Sequence, residues 1–202
     1  PDPARRATAR NRLCIPERAE VVGLIARDHP MKDHANFLAA AGRVAQVRPD
    51  LFLVLAGAGV DPSNARLEGL LARAGLQGRV RLLGEVADVQ QLYPAFDVAA
   101  LSSAWGEAFP NVLGEALACA VPCVATNVGD AAAIIGEAGR TVPPADSEQL
   151  SAAIVDVLNL GPEGRRALGE AGRRRVERYY SLAAVAEHYR ALYTSPGGRT
   201  PC

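Results

Sequence analysis

The chain has 202 residues, 49% of them apolar, with 22 basic and 22 acidic side chains in balance. That length buries one substantial core but is short for two domains. Zero net charge and a pI of about 7.3 give nothing that favours nucleic acid or an anionic membrane surface as a partner. The longest apolar runs are only strand length, and Gly, Pro or charge interrupts each, so neither a membrane span nor a signal peptide is expected. Cys14, Cys119, Cys123 and Cys202 do not make a disulfide framework and read as reduced, which points to the cytoplasm. Met31 is the only methionine, so the chain reads as a processed piece or an excised domain. Lys32 is the only lysine among the 22 basic residues, and an ammonium differs from the planar guanidinium used everywhere else.

Residues 1–13, "PDPARRATARNRL", read as a linker or cap. "EVVGLIAR" (20–27) is a buried-strand candidate. Phe37, Ala40, Val44 and Val47 then recur at helical spacing, predicting a helix over 33–48 that ends before Pro49. "LFLVLAG" (51–57) predicts a second strand, followed by a helix over 63–74 closed by Gly75. "RVRLLG" (79–84) predicts a third strand, followed by a short helix near 88–95. "DVAALSS" (97–103) predicts the fourth strand, with a helix from Pro110 to Cys119. "PCVATN" (122–127) and "RTV" (140–142) complete the strands, separated by a short helical segment near 130–137. From Ser147 onward the pattern is helical: 147–160, 162–180 and 181–193. Residues 196–202 read as a flexible tail. The alternation predicts an α/β, Rossmann-like doubly wound parallel sheet of about six strands, helices on both faces and a helical C-terminal extension. Ligands of such sheets sit at the carboxyl ends of the strands, where the strand order reverses.

In "ARDHPMKDH" (26–34), Arg27 and Lys32 flank a helix start. Two cations beside orphan N–H groups suit a phosphate; the alternative is a solvated charged loop. His29 and His34 lack a third ligand nearby and read as polar loop residues rather than a metal site. "AGAGVDP" (56–62) fails the dinucleotide fingerprint, because its third glycine would fall at Pro62; a tight strand-to-helix turn is expected there. "GEAFPNVLGEA" (106–116) places Pro110 at the first helical position, Glu107 just outside, and Asn111 and Glu115 on one helix face. Glu107, Asn111 and Glu115 are therefore expected to face one cleft, where carboxylates would accept from sugar hydroxyls. The alternative is Glu107 as a partner of the helix dipole and Glu115 as a surface residue. Cys119 and Cys123 read as buried small hydrophobes, and Ser102 and Ser103 lack a histidine for nucleophilic chemistry.

These segments together, "ARDHPMKDHANFL", "FLVLAGAG", "RVRLLGEV", "LYPAFDVAALSS" and "GEAFPNVLGEALACAVPCVATNVGD", resemble the C-terminal, donor-binding half of a GT-B retaining glycosyltransferase of family 4. The resemblance to this group 1 type spans residues 14–195, and "HPMKDH" is similar to members that build capsular polysaccharide or exopolysaccharide. It implies that Arg27 and Lys32 hold the leaving diphosphate of a nucleotide sugar and that Glu107 binds the donor sugar. It implies that backbone amides at Phe109, Asn111 and Val112 approach the phosphates or the sugar, and that Glu115 accepts from the ribose. No metal or cofactor is implied; a UDP-, GDP- or ADP-linked sugar is the co-substrate, and no D-x-D is present to hold a metal. Three positions depart from the family pattern: Ala26, Ala108 and Ala120 stand where glycine is usual. At a site requiring φ > 0, alanine costs about 1 kcal/mol or more.

In the mechanism implied, the acceptor hydroxyl attacks on the face from which the diphosphate departs, and a phosphate oxygen takes its proton. The cations then act electrostatically. The N-terminal acceptor domain of such enzymes has no counterpart here, so the isolated chain is expected to bind nucleotide without turnover. Its expected place is the cytoplasm, or the inner membrane face as part of a longer protein. Leu182, Val185, Ala186, Tyr189 and Tyr193 form an apolar strip that suits self-association or the absent partner. The rival readings are an inert nucleotide-sugar or scaffold module, and a response-regulator-like domain, which Arg27 at the first strand's end disfavours.

Overall fold

The structure, a computed structural model, describes residues 2–194. Six strands, β1 (Glu20–Ile25), β2 (Leu51–Ala56), β3 (Val80–Leu82), β4 (Val98–Leu101), β5 (Cys123–Thr126) and β6 (Gly139–Val142), form one sheet in the order β3-β2-β1-β4-β5-β6. Every pairing is parallel. The register runs Val22↔Leu53 on one side of β1 and Val22↔Val98 on the other. Strand order therefore reverses between β1 and β4, and the loops that follow these two strands diverge over one crevice.

The described residues form eight α-helices: α1 (Pro3–Arg12), α2 (His34–Val47), α3 (Ala65–Arg73), α4 (Asn111–Ala118), α5 (Ala131–Ile135), α6 (Ser147–Asn159), α7 (Gly161–Tyr179) and α8 (Leu182–Thr194). Burial of β2 is complete along its length, as a strand covered on both faces requires. Successive side chains go to opposite layers. Leu53 and Leu55 join Leu24, Phe37, Leu67 and Ile154 under α2, α3 and α6. Phe52 and Val54 join Val21, Leu113, Leu117 and Ile134 under α1, α4 and α5. Gly23 supplies the room for Phe96: a Cβ there would lie 2.1 Å from the ring.

All the expected strands are present, and the helix boundaries agree within two residues except in two places. The short helix expected near 88–95 is instead two 3₁₀ turns, Val89–Gln91 and Tyr93–Ala95, with Pro94 at the start of the second. The segment read as a linker or cap contains α1. Asp2 caps it, accepting from the N–H groups of Ala4 and Arg5 at 2.9 and 3.4 Å, and Pro3 opens it. Only Ala9 of this helix is buried, so no apolar period announces it. What docks it is charge: buried Asp97 accepts from Arg6 and Arg10 at 2.7 Å each, from Arg165 at 3.3 Å and from Val21 N–H at 2.8 Å.

At the other end α8 leaves the body. Leu182 is 91% exposed, and Val185, Tyr189, Leu192 and Tyr193 are exposed with it. Residues 196–202, read as a flexible tail, lie outside the described residues. No helix among the described residues is long and apolar enough to cross a membrane.

Candidate functional site

After β1 the chain makes a 3₁₀ turn, Pro30–Lys32, capped by the His29 ring accepting from Met31 N–H at 3.2 Å. Asp33 then takes a left-handed conformation (φ 45°) and caps α2, accepting from Asn36 N–H at 3.1 Å. Asp readily adopts this backbone and this cap. The turn presents Lys32 toward the loop that follows β4. There the Ser102 hydroxyl donates to the Lys32 carbonyl at 2.7 Å, and Ala104 N–H donates to the Met31 carbonyl at 2.8 Å. The two loops of the crevice are thus tied by one main-chain bond and one from a serine hydroxyl.

Lys32 Nζ pairs with Glu107 Oε1, and the Ser103 hydroxyl donates to the same oxygen at 2.5 Å. The two charged side chains are only 16% and 8% exposed, so each depends on the other for its charge to be tolerated. Ser103 is fixed in turn by Thr126, whose hydroxyl donates to the Ser103 carbonyl at 2.6 Å. Gly106 (φ 74°) packs against Met31, where a Cβ would lie 2.7 Å from the sulfur. Gly129 (φ 58°) backs onto the Glu107 and Ala108 carbonyls, and Asp130 N–H donates to the latter at 2.9 Å.

The first helical residue of α4 is Asn111, one later than the sequence suggests, with Pro110 at the N-cap. Proline offers no capping acceptor, and no side chain caps the helix. Among the described residues, the N–H groups of Phe109, Asn111 and Val112 have no internal acceptor. Asn111 and Phe109 are exposed, and Val112 is half-buried. Phe109 stacks at a tilt on Tyr180, with centroids 5.6 Å apart. Arg27 is exposed and has no hydrogen bond or ion pair among the described residues.

Glu115 does not join the Lys32–Glu107 pair. Its Oε2 accepts the Tyr93 hydroxyl at 2.8 Å, from the 3₁₀ turn that precedes β4. Burial, reinforced by Glu115, pushes the Tyr93 phenol above its ordinary value, so it remains a donor. Lys32 and Glu107 are therefore in contact, Arg27 and the open amides remain unengaged, and Glu115 sits on a partner of its own. Ser103 and Tyr93 are contributors that the sequence reading passed over. Ser103 was visible four residues before Glu107, whereas nothing local linked Tyr93 to Glu115.

The remaining candidates resolve simply. Cys123 is fully buried and Cys119 half-buried, and burial raises both thiols. His34 is buried and His29 exposed. No group of three or more His, Cys, Asp or Glu side chains is placed to hold a metal among the described residues. "AGAGVDP" is the expected turn: Gly57 (φ 148°) lets β2 end against Ala26 and Arg27. Of the departures, Ala120 does occupy the left-handed region, at φ 56°, whereas Ala26 and Ala108 do not.

The chain and its fold have known relatives. The family model described as glycosyl transferases group 1 matches residues 5–175. The chain belongs to that family. The MMP alpha-(1->4)-mannosyltransferase of Mycolicibacterium hassiacum is 30% identical over 181 residues, covering 87% of this chain but 43% of the relative. The chain thus spans less than half that protein's length. HepE of Anabaena, solved with UDP and glucose, aligns at a TM-score of 0.81 and 25% identity, over 96% of this chain and 53% of that one. The C-terminal domain of a glycosyl transferase group 1 protein from Francisella tularensis aligns at 0.75 and 26% identity, over 88% of this chain and 93% of that domain. This group 1 chain therefore has a GT-B type of α/β fold and aligns with nearly the whole of that C-terminal domain.

Proposed function

We propose that this chain is the nucleotide-sugar-binding half of a retaining glycosyltransferase, with the diphosphate lying between Arg27, Lys32 and the start of α4. The observation that carries the reading is the union of an unpaired arginine, a lysine–glutamate pair and uncapped helix amides over the point where strand order reverses. Orphan N–H groups and the helix dipole favour an anion there, and the two cations add charge-assisted bonds. Supporting it, the aligned Anabaena protein was solved with UDP and glucose.

In this reading Glu107, already held by Lys32 and Ser103, accepts from hydroxyls of the donor sugar. Glu115, oriented by Tyr93, accepts from the ribose. Arg27 and Lys32 stabilise the charge that grows on the diphosphate as the glycosidic bond breaks. The acceptor hydroxyl attacks from the side of departure, and a phosphate oxygen takes its proton. The acceptor is bound by a further domain, so this chain alone binds a nucleoside diphosphate weakly and transfers no sugar. Its setting is glycan or polysaccharide synthesis on the cytoplasmic side of a membrane.

Calorimetry with UDP, GDP and ADP tests the assignment. One of them is expected to bind, and Arg27→Ala to weaken it by roughly 10- to 100-fold, the worth of a charged hydrogen bond. Because Arg27 is exposed and unpaired, the melting temperature should hold. Binding of none of the three, or an Arg27→Ala protein that binds as well as the parent, overturns the reading.

A further inference from the structure

Trp105 is the only tryptophan of the chain, and it stands 55% exposed in the turn that carries Glu107. The backbone on either side of it is immobilised. Ala104 N–H is bonded to the Met31 carbonyl, Ser103 holds Glu107, and Gly106 is closed against the Met31 sulfur. A large aromatic surface is thus carried on a tethered stretch of backbone without being spent on the core. Exposed indole is unfavourable in water, and its stacking face is the part of a side chain best suited to an apolar ring surface.

The neighbours define what that ring is. Lys32 and Glu107, within two residues of the indole or bonded to one that is, offer a donor and an acceptor from a mostly buried pair. A ligand that meets both needs one apolar face and a rim of hydroxyls. A pyranose has that form: axial C–H groups make its face and hydroxyls its edge. A phosphate lacks the face, and a nucleobase, which also stacks on indole, would move the indole emission with the bare diphosphate as much as with the sugar conjugate.

We propose that Trp105 is a stacking platform for the glycosyl ring of the nucleotide sugar, at the open side of the Lys32–Glu107 pair. This rests on the donor-site reading above and adds to it a residue that discriminates the sugar from the nucleotide. The indole grips the C–H face while Glu107 takes the hydroxyl edge. The sugar-bearing ligand therefore gains from Trp105 and the bare diphosphate does not.

The single tryptophan makes its own emission the probe. Fluorescence, corrected for ligand absorbance, is recorded with UDP, GDP and ADP and then with UDP-glucose, UDP-N-acetylglucosamine, GDP-mannose and ADP-glucose, beside calorimetry of each. The expected result is a blue shift and protection from acrylamide quenching with a sugar nucleotide, and an unmoved spectrum with its bare diphosphate. Trp105→Ala should lower the affinity for the sugar nucleotide by about tenfold, leave that for the diphosphate unchanged, and be rescued by Trp105→Phe. A sugar nucleotide that binds by calorimetry without moving the emission overturns the proposal. So does a diphosphate that shifts the emission as far as its sugar conjugate, or a Trp105→Ala protein with both affinities intact. If none of the ligands binds by calorimetry, the donor site itself fails and the platform with it, an outcome distinct from the others.

Discussion

Tyr93 donates its hydroxyl to Glu115 across 2.8 Å while its ring edge packs on Phe96, with centroids 5.8 Å apart at 76°. The ring belongs to the core and the hydroxyl to the site, so the two contributions separate cleanly in Tyr93→Phe. The ring packing survives, and a half-buried carboxylate loses its donor. Stability should fall by about 1 kcal/mol in urea unfolding. Nucleoside diphosphate affinity should fall several-fold, because Glu115 is no longer held for the ribose. Unchanged affinity beside the expected loss of stability would remove Glu115 from the ligand site.

The Lys32–Glu107 pair makes a sharper distinction between holding the fold and holding the ligand. Lys32→Ala strands a carboxylate that is 8% exposed, with only Ser103 still bonded to it. Breaking such a pair from one side costs about 3 kcal/mol. Replacing both members, Lys32→Met with Glu107→Gln, removes the charges together and should restore most of that stability. Nucleotide binding should be lost in both proteins. Recovery of binding in the double variant would assign the pair a purely structural role.

The expected helix-to-strand turn at residues 119–121 contains the strain that the sequence led one to look for. Ala120 has φ 56° and is buried, and its carbonyl lies where a Cβ on Gly169 would come within 2.0 Å. A left-handed alanine costs roughly 1–2 kcal/mol, offset in part by the greater entropy of glycine in the unfolded chain. Ala120→Gly should therefore stabilise by about 0.5–1 kcal/mol, and Gly169→Ala should destabilise because the turn has nowhere to move. Thermal melts of the two variants check the pair of signs. Stabilisation by Ala120→Gly with no change in nucleotide affinity would mean that this departure bears on the fold and not on the ligand.

What the sequence disclosed follows from which forces act locally. Strand alternation and helical spacing arise from burial, so β1 to β6 and α2 to α8 were legible within a residue or two. Pro110 and Glu107 were legible because helix starts have a local chemistry. The first helix was hidden because Asp97 holds Arg6 and Arg10 from far along the chain, and a helix docked by ion pairs has no apolar stripe. Separation along the chain also concealed the Tyr93–Glu115 bond, whose partners lie before and after β4 in sequence. Lys32 and Glu107 were each singled out, yet their direct contact depends on strand order, which spacing alone does not encode.

His34 is one polar residue whose burial was not foreseen, and it gives the fold a pH dependence. Its side chain is 0% exposed, neither ring nitrogen has a hydrogen bond, and Nδ1 lies 3.9 Å from Asp28 Oδ1. Burial holds the imidazole below its ordinary value; the Asp28 carboxylate opposes that shift and Arg66 adds to it. The folded protein therefore keeps His34 neutral where the unfolded chain, with an ordinary histidine near 6.5, has begun to take up a proton. The unfolded state binds more protons, so stability is greatest above about pH 7 and declines as pH falls through about 6.5. Between pH 7.5 and 5.5 this residue should therefore lower stability progressively as the pH falls. His34→Leu fills similar space and removes the titrating group. Urea unfolding across that interval should give a shallower slope for the variant than for the parent. Equal slopes in the two proteins would show that the buried imidazole gains its proton without opening the fold.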